Sequence, residues 1–238
     1  MSSESNKGIL MLCKCGKEAR ILRPHEGRAY CGNCLVKLMR RRFKRELRSL
    51  GIEKGDEVVI FVPRCSMFYP LLLGELEKVF AKWKELKLIA LVFWKDCEDF
   101  AELKTSKVET RRLEISSKPT NCQECIASQL EVVRKFARRR QTKMISSLVL
   151  EEVVALFLRT LLEGTPIFLW SPLWFLRRKE AEICAELQGL TIRDDCGLKD
   201  RVAKTIDEML EDLERKHAGI LNQLYTSAKV IGRNPLID

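Results

Sequence analysis

The sequence predicts an α/β fold: a parallel sheet with helices on both faces, a small N-terminal zinc module ahead of it and a helical C-terminus behind it. Three observations carry this. Short β-branched runs alternate with helically spaced apolar residues through the middle of the chain. Four cysteines fall in two close pairs before any long periodic segment. The last sixty or so residues show helical spacing without a further β-branched run. At 238 residues, 46% hydrophobic and 32% charged, the chain can bury one substantial core with a small appended module, and it excludes a disordered polymer. The expected organisation is a zinc-binding module over 8–36, a basic linker helix over 37–53, an α/β domain over 54–178 and a helical region over 179–238.

The N-terminal stretch Met1 to Lys7 is polar and lacks the apolar core of a signal peptide. The most apolar stretch, Leu148 to Trp174, is broken by Glu151, Glu152, Arg159, Glu163, Gly164 and Pro166, which favours buried elements over a membrane span. A cytoplasmic protein without membrane contact is expected, so the ten cysteines are read toward metals before disulfides. Cys13-Lys14-Cys15 and Cys31-Gly32-Asn33-Cys34 offer four soft ligands on two turns, which is what tetrahedral zinc requires. The first pair is one residue shorter than a standard knuckle, and His25 could replace one ligand if that pair cannot close. The bland alternative is four unrelated thiols.

A basic amphipathic helix follows, Leu35 to Leu50, with Leu35, Leu38, Met39, Phe43 and Leu47 on one side and Gly51 as its stop. It carries Lys37, Arg40, Arg41, Arg42, Lys44, Arg45 and Arg48 against the single acid Glu46. A second cluster holds Arg134, Lys135, Arg138, Arg139, Arg140 and Lys143, within a formal net charge of +10. Either cluster alone is as readily a solvated helix face. Together with the cysteine module they point to a polyanion, RNA first, held through phosphate contacts.

The middle reads as strand Glu57–Val62, helix Tyr69–Leu86, strand Leu88–Phe93, strand Thr110–Ile115, helix Gln123–Arg139, strand Lys143–Ser147, helix Leu150–Leu162 and strand Pro166–Trp170. Helices Lys179–Leu187 and Leu198–Lys216 close the chain. Ligands of such sheets sit at the carboxyl ends of the strands. Cys122-Gln123-Glu124-Cys125 opens a helix behind Pro119, where the dipole lowers thiol pKa. That suits a redox pair, a zinc half-site or an iron–sulfur ligand pair, and a lone CxxC does not choose among them. Cys196 is the best-placed third ligand.

The order of these features resembles the cytosolic tRNA 2-thiouridine synthetases of the PP-loop ATP pyrophosphatase family, from about Cys13 to Ile231. The matching segments are the paired cysteines, the basic helix, Lys54-Gly55-Asp56-Glu57-Val58-Val59, the Cys122/Cys125 pair, Leu161-Leu162-Glu163-Gly164, Ser171-Pro172-Leu173 with Arg178-Lys179-Glu180, and Leu213-Glu214-Arg215-Lys216-His217-Ala218-Gly219-Ile220. The resemblance implies a PP-loop fold of the adenine nucleotide alpha hydrolase type. It also implies a [4Fe–4S] cluster at Cys122, Cys125 and Cys196, although Gly197 stands where the family has proline. Active members carry Ser-Gly-Gly-x-Asp-Ser after the first sheet strand. Here that loop is Pro63-Arg64-Cys65-Ser66-Met67-Phe68, with no glycine to wrap a pyrophosphate and a proline that removes a donor. Where the family reads Gly-His-Asn-Leu-Asp-Asp-Glu-Ala, this chain has Ser147-Leu148-Val149-Leu150-Glu151-Glu152-Val153-Val154.

ATP is therefore not an expected ligand, unless Arg64 and Lys95 rebuild a weaker site. The expectation is a non-catalytic subunit of a tRNA uridine 2-thiolation complex. It would bind tRNA through Arg40, Arg41, Arg42, Lys44, Arg45, Arg138, Arg139 and Arg140. Its partners would be an active PP-loop subunit in a heterodimer, or a second copy of itself, and a ubiquitin-like sulfur carrier. The alternatives are an iron–sulfur-dependent tRNA sulfurtransferase active in its own right, and a zinc-bearing nucleic-acid-binding module.

Overall fold

In the computed structural model, which describes residues 11–64, 66–93, 106–113, 119–138, 142–164, 166–192 and 201–232, two sheets are present. A two-stranded antiparallel hairpin, β1 (Ile21–Arg23) and β2 (Arg28–Tyr30), belongs to the cysteine module. The main sheet holds four parallel strands among the described residues: β3 (Glu57–Val62), β4 (Lys87–Val92), β5 (Val108–Arg112) and β6 (Lys143–Ser146), in the order β5-β4-β3-β6. The helices are α1 (Gly32–Ser49), α2 (Tyr69–Phe80), α3 (Cys122–Arg138), α4 (Leu150–Leu162), α5 (Arg178–Glu186), α6 (Arg201–Lys216) and α7 (Ile220–Ile231).

The β-branched runs are buried on both sides, as the period of two requires. Val58, Ile60 and Val62 face one core with Leu88, Ala90 and Val92. Val59 and Phe61 face the other with Ile89 and Leu91. The first core is covered by α1, through Leu35, Met39, Phe43 and Leu47 at four-residue spacing, and by α2 and α5. The second is covered by α3, α4, α6 and α7. The expected α/β sheet with both faces covered is present.

Three expected elements change. The helix foreseen to Leu86 ends at Phe80. Trp83 and Leu86 keep helical spacing, but their amides turn back onto Phe80 O (2.9 Å) and Trp83 O (3.3 Å). The Trp83 ring packs edge-on against Phe80 at 5.1 Å, so tight turns satisfy the same apolar pattern. The strand foreseen at Thr110–Ile115 begins earlier, at Val108, because Val108 is the buried residue that pairs with Leu88; residues 114 and 115 lie outside the described ones. Pro166–Trp170 is not a strand. Pro166 has no amide hydrogen, the Ile167 amide is taken by Thr160 Oγ1 (2.9 Å), and the contact with β6 is the Ser146 amide on Trp170 O (2.8 Å). Helix α7 was not foreseen as an element.

The sheet order places a switch point between β3 and β6: the chain leaves β3 toward β4 on one side and reaches β6 on the other. Crevices of open α/β sheets form there, outside the carboxyl ends. The loops concerned are 63–68 and 147–149.

Candidate functional site

The cysteine module closes around four sulfurs. Met11 to Ala19 doubles back on itself, with Cys13 N on Lys17 O and Gly16 N on Cys13 O, both 2.8 Å. Gly16 sits at φ 82°, where a side chain would be strained. This turn lets the short pair close. Cys31 precedes α1 and Cys34 lies in its first turn, three residues on and so on the same helix face. The Sγ atoms of Cys13, Cys15, Cys31 and Cys34 all lie within 4.8 Å of one another, with Cys15 and Cys31 at 3.5 Å. A tetrahedral ion with metal–sulfur bonds of about 2.3 Å sets its sulfurs about 3.8 Å apart, so the donor set fits one such ion.

Without an ion the thiols compete. The backbone amides of Cys15 and then Cys31 lower Cys13 to about 6, whereas the side chains of Cys15, Cys31 and Cys13 raise Cys34 to about 12. A divalent cation removes that conflict by stabilising all four thiolates. His25 is not needed among the ligands. Its Nε2 lies 3.7 Å from Glu26 Oε1, and its Cβ lies 3.3 Å from where a side chain at Gly219 would begin.

The module is fastened to the body by a buried ion pair. Arg23 of β1 is 1% exposed and Glu180 of α5 is fully buried. Arg23 Nε donates to Glu180 Oε1 (2.5 Å) and Nη2 to Glu180 Oε2 (2.7 Å) and Phe175 O (2.8 Å). Burial works against the Arg23 charge, and Glu180 outweighs it, so the pKa is raised. Glu180 Oε2 also accepts the Arg177 amide at the start of α5. Nothing in the sequence pattern singled out Arg23; its one trace is a lone cation in the short run Ile21–Arg23.

At the switch point, the loop after β3 is closed on protein partners. The Arg64 amide donates to Gln129 Oε1 (3.2 Å), and the Ser66 amide to Pro63 O (2.9 Å). Ser66 Oγ donates to Ser147 O (3.2 Å), and Ser147 Oγ donates to Ser66 Oγ (2.7 Å). Gln129, Ser66 and Ser147 are buried. Amides engaged in this way are not presented to a phosphate. Gln129 escaped the sequence reading, although it is the polar residue within the apolar stripe Ile126, Leu130 and Val133 of α3. Cys65 and Lys95 lie outside the described residues.

Beside this loop is an apolar cavity of about 80 Å³, lined by Phe61, Pro63, Met67, Leu148, Glu152 and Arg178 among others. Glu152 Oε2 accepts the Val149 amide (3.0 Å) at the start of α4, and Glu151 Oε2 accepts the Arg178 amide (3.0 Å). Burial pushes both acids up to about 7.

Of the three cysteines foreseen at a cluster, Cys122 and Cys125 open α3 and Cys196 lies outside the described residues. Cys125 is 3% exposed, and its Sγ accepts from Gln129 Nε2 at 2.9 Å. Asn121 Oδ1 caps the helix through the Glu124 amide (2.9 Å). Cys184 is an inert buried thiol, raised by burial to about 12.

The basic residues of α1 divide. Arg40 pairs with Glu75 (3.2 Å) and Arg42 with Glu26 (2.6 Å). Lys37, Arg41, Lys44, Arg45 and Arg48 are exposed, and their spacing puts them along one outward face. In the second cluster Lys143 is held by Asp56 (2.6 Å) and Lys135 by Glu131 (2.7 Å). Arg138 ends α3, while Arg139 and Arg140 lie outside the described residues.

The parallel sheet of order β5-β4-β3-β6, with the cysteine module before it and helices on both faces, is an arrangement shared with solved proteins. Among solved structures, the U34-tRNA thiolase NcsA from Methanococcus maripaludis with its [4Fe–4S] cluster superposes at TM-score 0.74, with 17% identity over 94% of this chain and 87% of that one. NAD⁺ synthetase from Burkholderia pseudomallei superposes at TM-score 0.51, with 13% identity over 84% and 90%. At these identities the likeness is one of fold. No protein-family model matches the sequence, and no curated protein matches it. No helix among the described residues is long and apolar enough to cross a membrane.

Proposed function

We propose that this chain is a non-catalytic subunit of a tRNA uridine 2-thiolation complex, binding tRNA and an active PP-loop partner. The observation that carries the non-catalytic half is the closed loop after β3, where the Arg64 and Ser66 amides are spent on Gln129 and Pro63. The thiolation half is supported by the fold shared with a tRNA thiolase and by the ordered motif resemblance along the chain. In this reading zinc occupies Cys13, Cys15, Cys31 and Cys34, since sulfurs within 4.8 Å of one another enclose a single ion better than a four-iron cube. A [4Fe–4S] cluster is assigned to Cys122, Cys125 and Cys196, with one iron left without a protein thiolate. The RNA surface is the outward face of α1, led by Arg41, Lys44 and Arg45, with Arg138, Arg139 and Arg140 as a second patch. The partner is a catalytic PP-loop subunit, and a ubiquitin-like sulfur carrier would serve that subunit.

The test is zinc, iron and acid-labile sulfide analysis on anaerobically purified chain, with an ATP titration on the same sample. One zinc with about four irons and four sulfides, and no ATP binding, is the expected result. Zinc alone removes the cluster and leaves a structural partner. Saturable micromolar ATP binding overturns the non-catalytic reading and favours a sulfurtransferase active in its own right, the reading that the cluster in the neighbouring thiolase also supports.

A further inference from the structure

Gln129 is a polar residue in the otherwise apolar stripe that Ile126, Leu130 and Val133 of α3 turn toward the second core. It is fully buried, and a buried amide is costly unless both of its ends are paired. Both are. Oε1 accepts the Arg64 amide at 3.2 Å, and Nε2 donates to Cys125 Sγ at 2.9 Å. Which end faces which partner is fixed by chemistry. A backbone N–H can only donate, so the side-chain oxygen must face Arg64 and the NH₂ group must face the sulfur.

The sulfur end selects a chemical state. A neutral thiol is a weak acceptor and leaves a buried N–H donor only partly satisfied. A thiolate is a strong one, because the hydrogen bond is then charge-assisted. Cys125 is buried as well, and a bare buried anion is costly unless a cation lies against it. A metal-bound thiolate meets both demands: it keeps the negative character that the amide hydrogen-bonds, and the metal offsets the rest. In this respect Cys125 fits an iron–sulfur ligand. The other end of Gln129 fixes the place. Arg64 lies just past the end of β3, so the side chain ties this sulfur to the loop at the carboxyl end of the sheet.

We propose that Gln129 is a positioning residue for the ligand Cys125: braced on the Arg64 amide, it holds the sulfur in place and raises the reduction potential of the cluster bound there. This rests on the reading that Cys122, Cys125 and Cys196 hold a [4Fe–4S] cluster, and adds to it the residue that orients one ligand. Partners that hydrogen-bond a metal's ligands fix their orientation, and hydrogen bonds to sulfur tune iron–sulfur potentials. The reduced cluster carries one more negative charge than the oxidised one. An N–H aimed at its sulfur therefore stabilises the reduced form more.

The experiment loads the full chain anaerobically with zinc, iron and sulfide, counts each, and follows a dye-mediated redox titration by electron paramagnetic resonance. The parent is compared with Gln129→Leu and Leu130→Ala. Gln129→Leu loses the donor to sulfur, whereas Leu130→Ala loosens the same helix and leaves that donor in place. At equal iron content, Gln129→Leu should shift the ratio of oxidised to reduced cluster about tenfold toward oxidised, a midpoint lower by about 59 mV for a one-electron couple. Leu130→Ala should keep the parent midpoint. Gln129→Met, of similar shape, gives the same comparison if the leucine variant does not fold. A folded Gln129 variant that assembles no cluster where Leu130→Ala does would also support the assignment. An unchanged or raised midpoint, or an equal effect in the Gln129 and Leu130 variants, overturns it and leaves the cluster reading standing. A parent chain without iron and sulfide overturns the cluster reading and the positioning role together, and the counts show this before any titration.

Discussion

Two buried charges behave oppositely at the level of single residues. Arg23 is sunk against Glu180, Glu26 and the Phe175 carbonyl, so that Nε, Nη1 and Nη2 each donate to oxygen. Removing one partner of such a pair leaves an uncompensated charge in the interior, a loss of about 3–5 kcal/mol. Arg23→Met should therefore lower the unfolding free energy from a urea melt by that amount, whereas Arg23→Met combined with Glu180→Leu should recover much of it. Glu152 carries its charge at a cost. Burial raises its pKa to about 7, so the folded state holds the proton more tightly than the unfolded chain. Its stabilising contribution is complete below the ordinary carboxylate value and is lost as pH rises through about 7. Between about pH 5 and pH 8 the parent chain should lose roughly 1–3 kcal/mol relative to Glu152→Gln, a difference that paired thermal melts will show.

Helix α1 has two faces with separate tasks. Its inner stripe, Leu35, Met39, Phe43 and Leu47, is buried against the sheet, and Phe43→Ala should cost about 3–5 kcal/mol in a urea melt. Its outer face carries the cations. Each of Arg41, Lys44 and Arg45 changed to alanine should lower the slope of log K against log salt for RNA by about 1, without altering preference among sequences. Arg40→Ala should leave that slope nearly unchanged, because Arg40 is paired with buried Glu75. Elements with strong local signals were legible: the two-sided burial of β3 and β4 follows from unbroken β-branched runs, and α1 from its four-residue stripe. Where the pattern was ambiguous the structure chose differently. Trp83 and Leu86 satisfy helical spacing from within turns. Pro166 and Ile167 look like a strand but have no free amide to give. The four-thiol site was legible because its ligands are close in sequence. The Arg23–Glu180 pair and the cavity of Glu152 and Arg178 were not, because only tertiary folding brings those residues together.

Across the whole molecule, the cysteine module behaves as a part of the body and not as a tethered appendage. It touches α5 through Arg23 and lies against the α6–α7 turn through His25, and Glu214 near the end of α6 holds Arg177 and the amides of Gly219 and Leu221. Gly219 takes φ 96° to make the turn, which few other residues would tolerate. Stripping metal from the four thiols should therefore lower the melting temperature of the entire chain in a single transition, and re-addition of zinc should restore it; two separated transitions would show the module to be independent. The distance between Arg23 and its partner also sets a timetable. Glu180 follows Arg23 by 157 residues, so at translation rates of about 5–20 residues per second the hairpin waits roughly 8–30 s on the ribosome before its buried partner from α5 is made. Over that interval Arg23 has Glu26 beside it, three residues on, and an ion held by Cys13, Cys15, Cys31 and Cys34 would brace the nascent hairpin further, so the order of synthesis favours metal capture before the body of the chain is made.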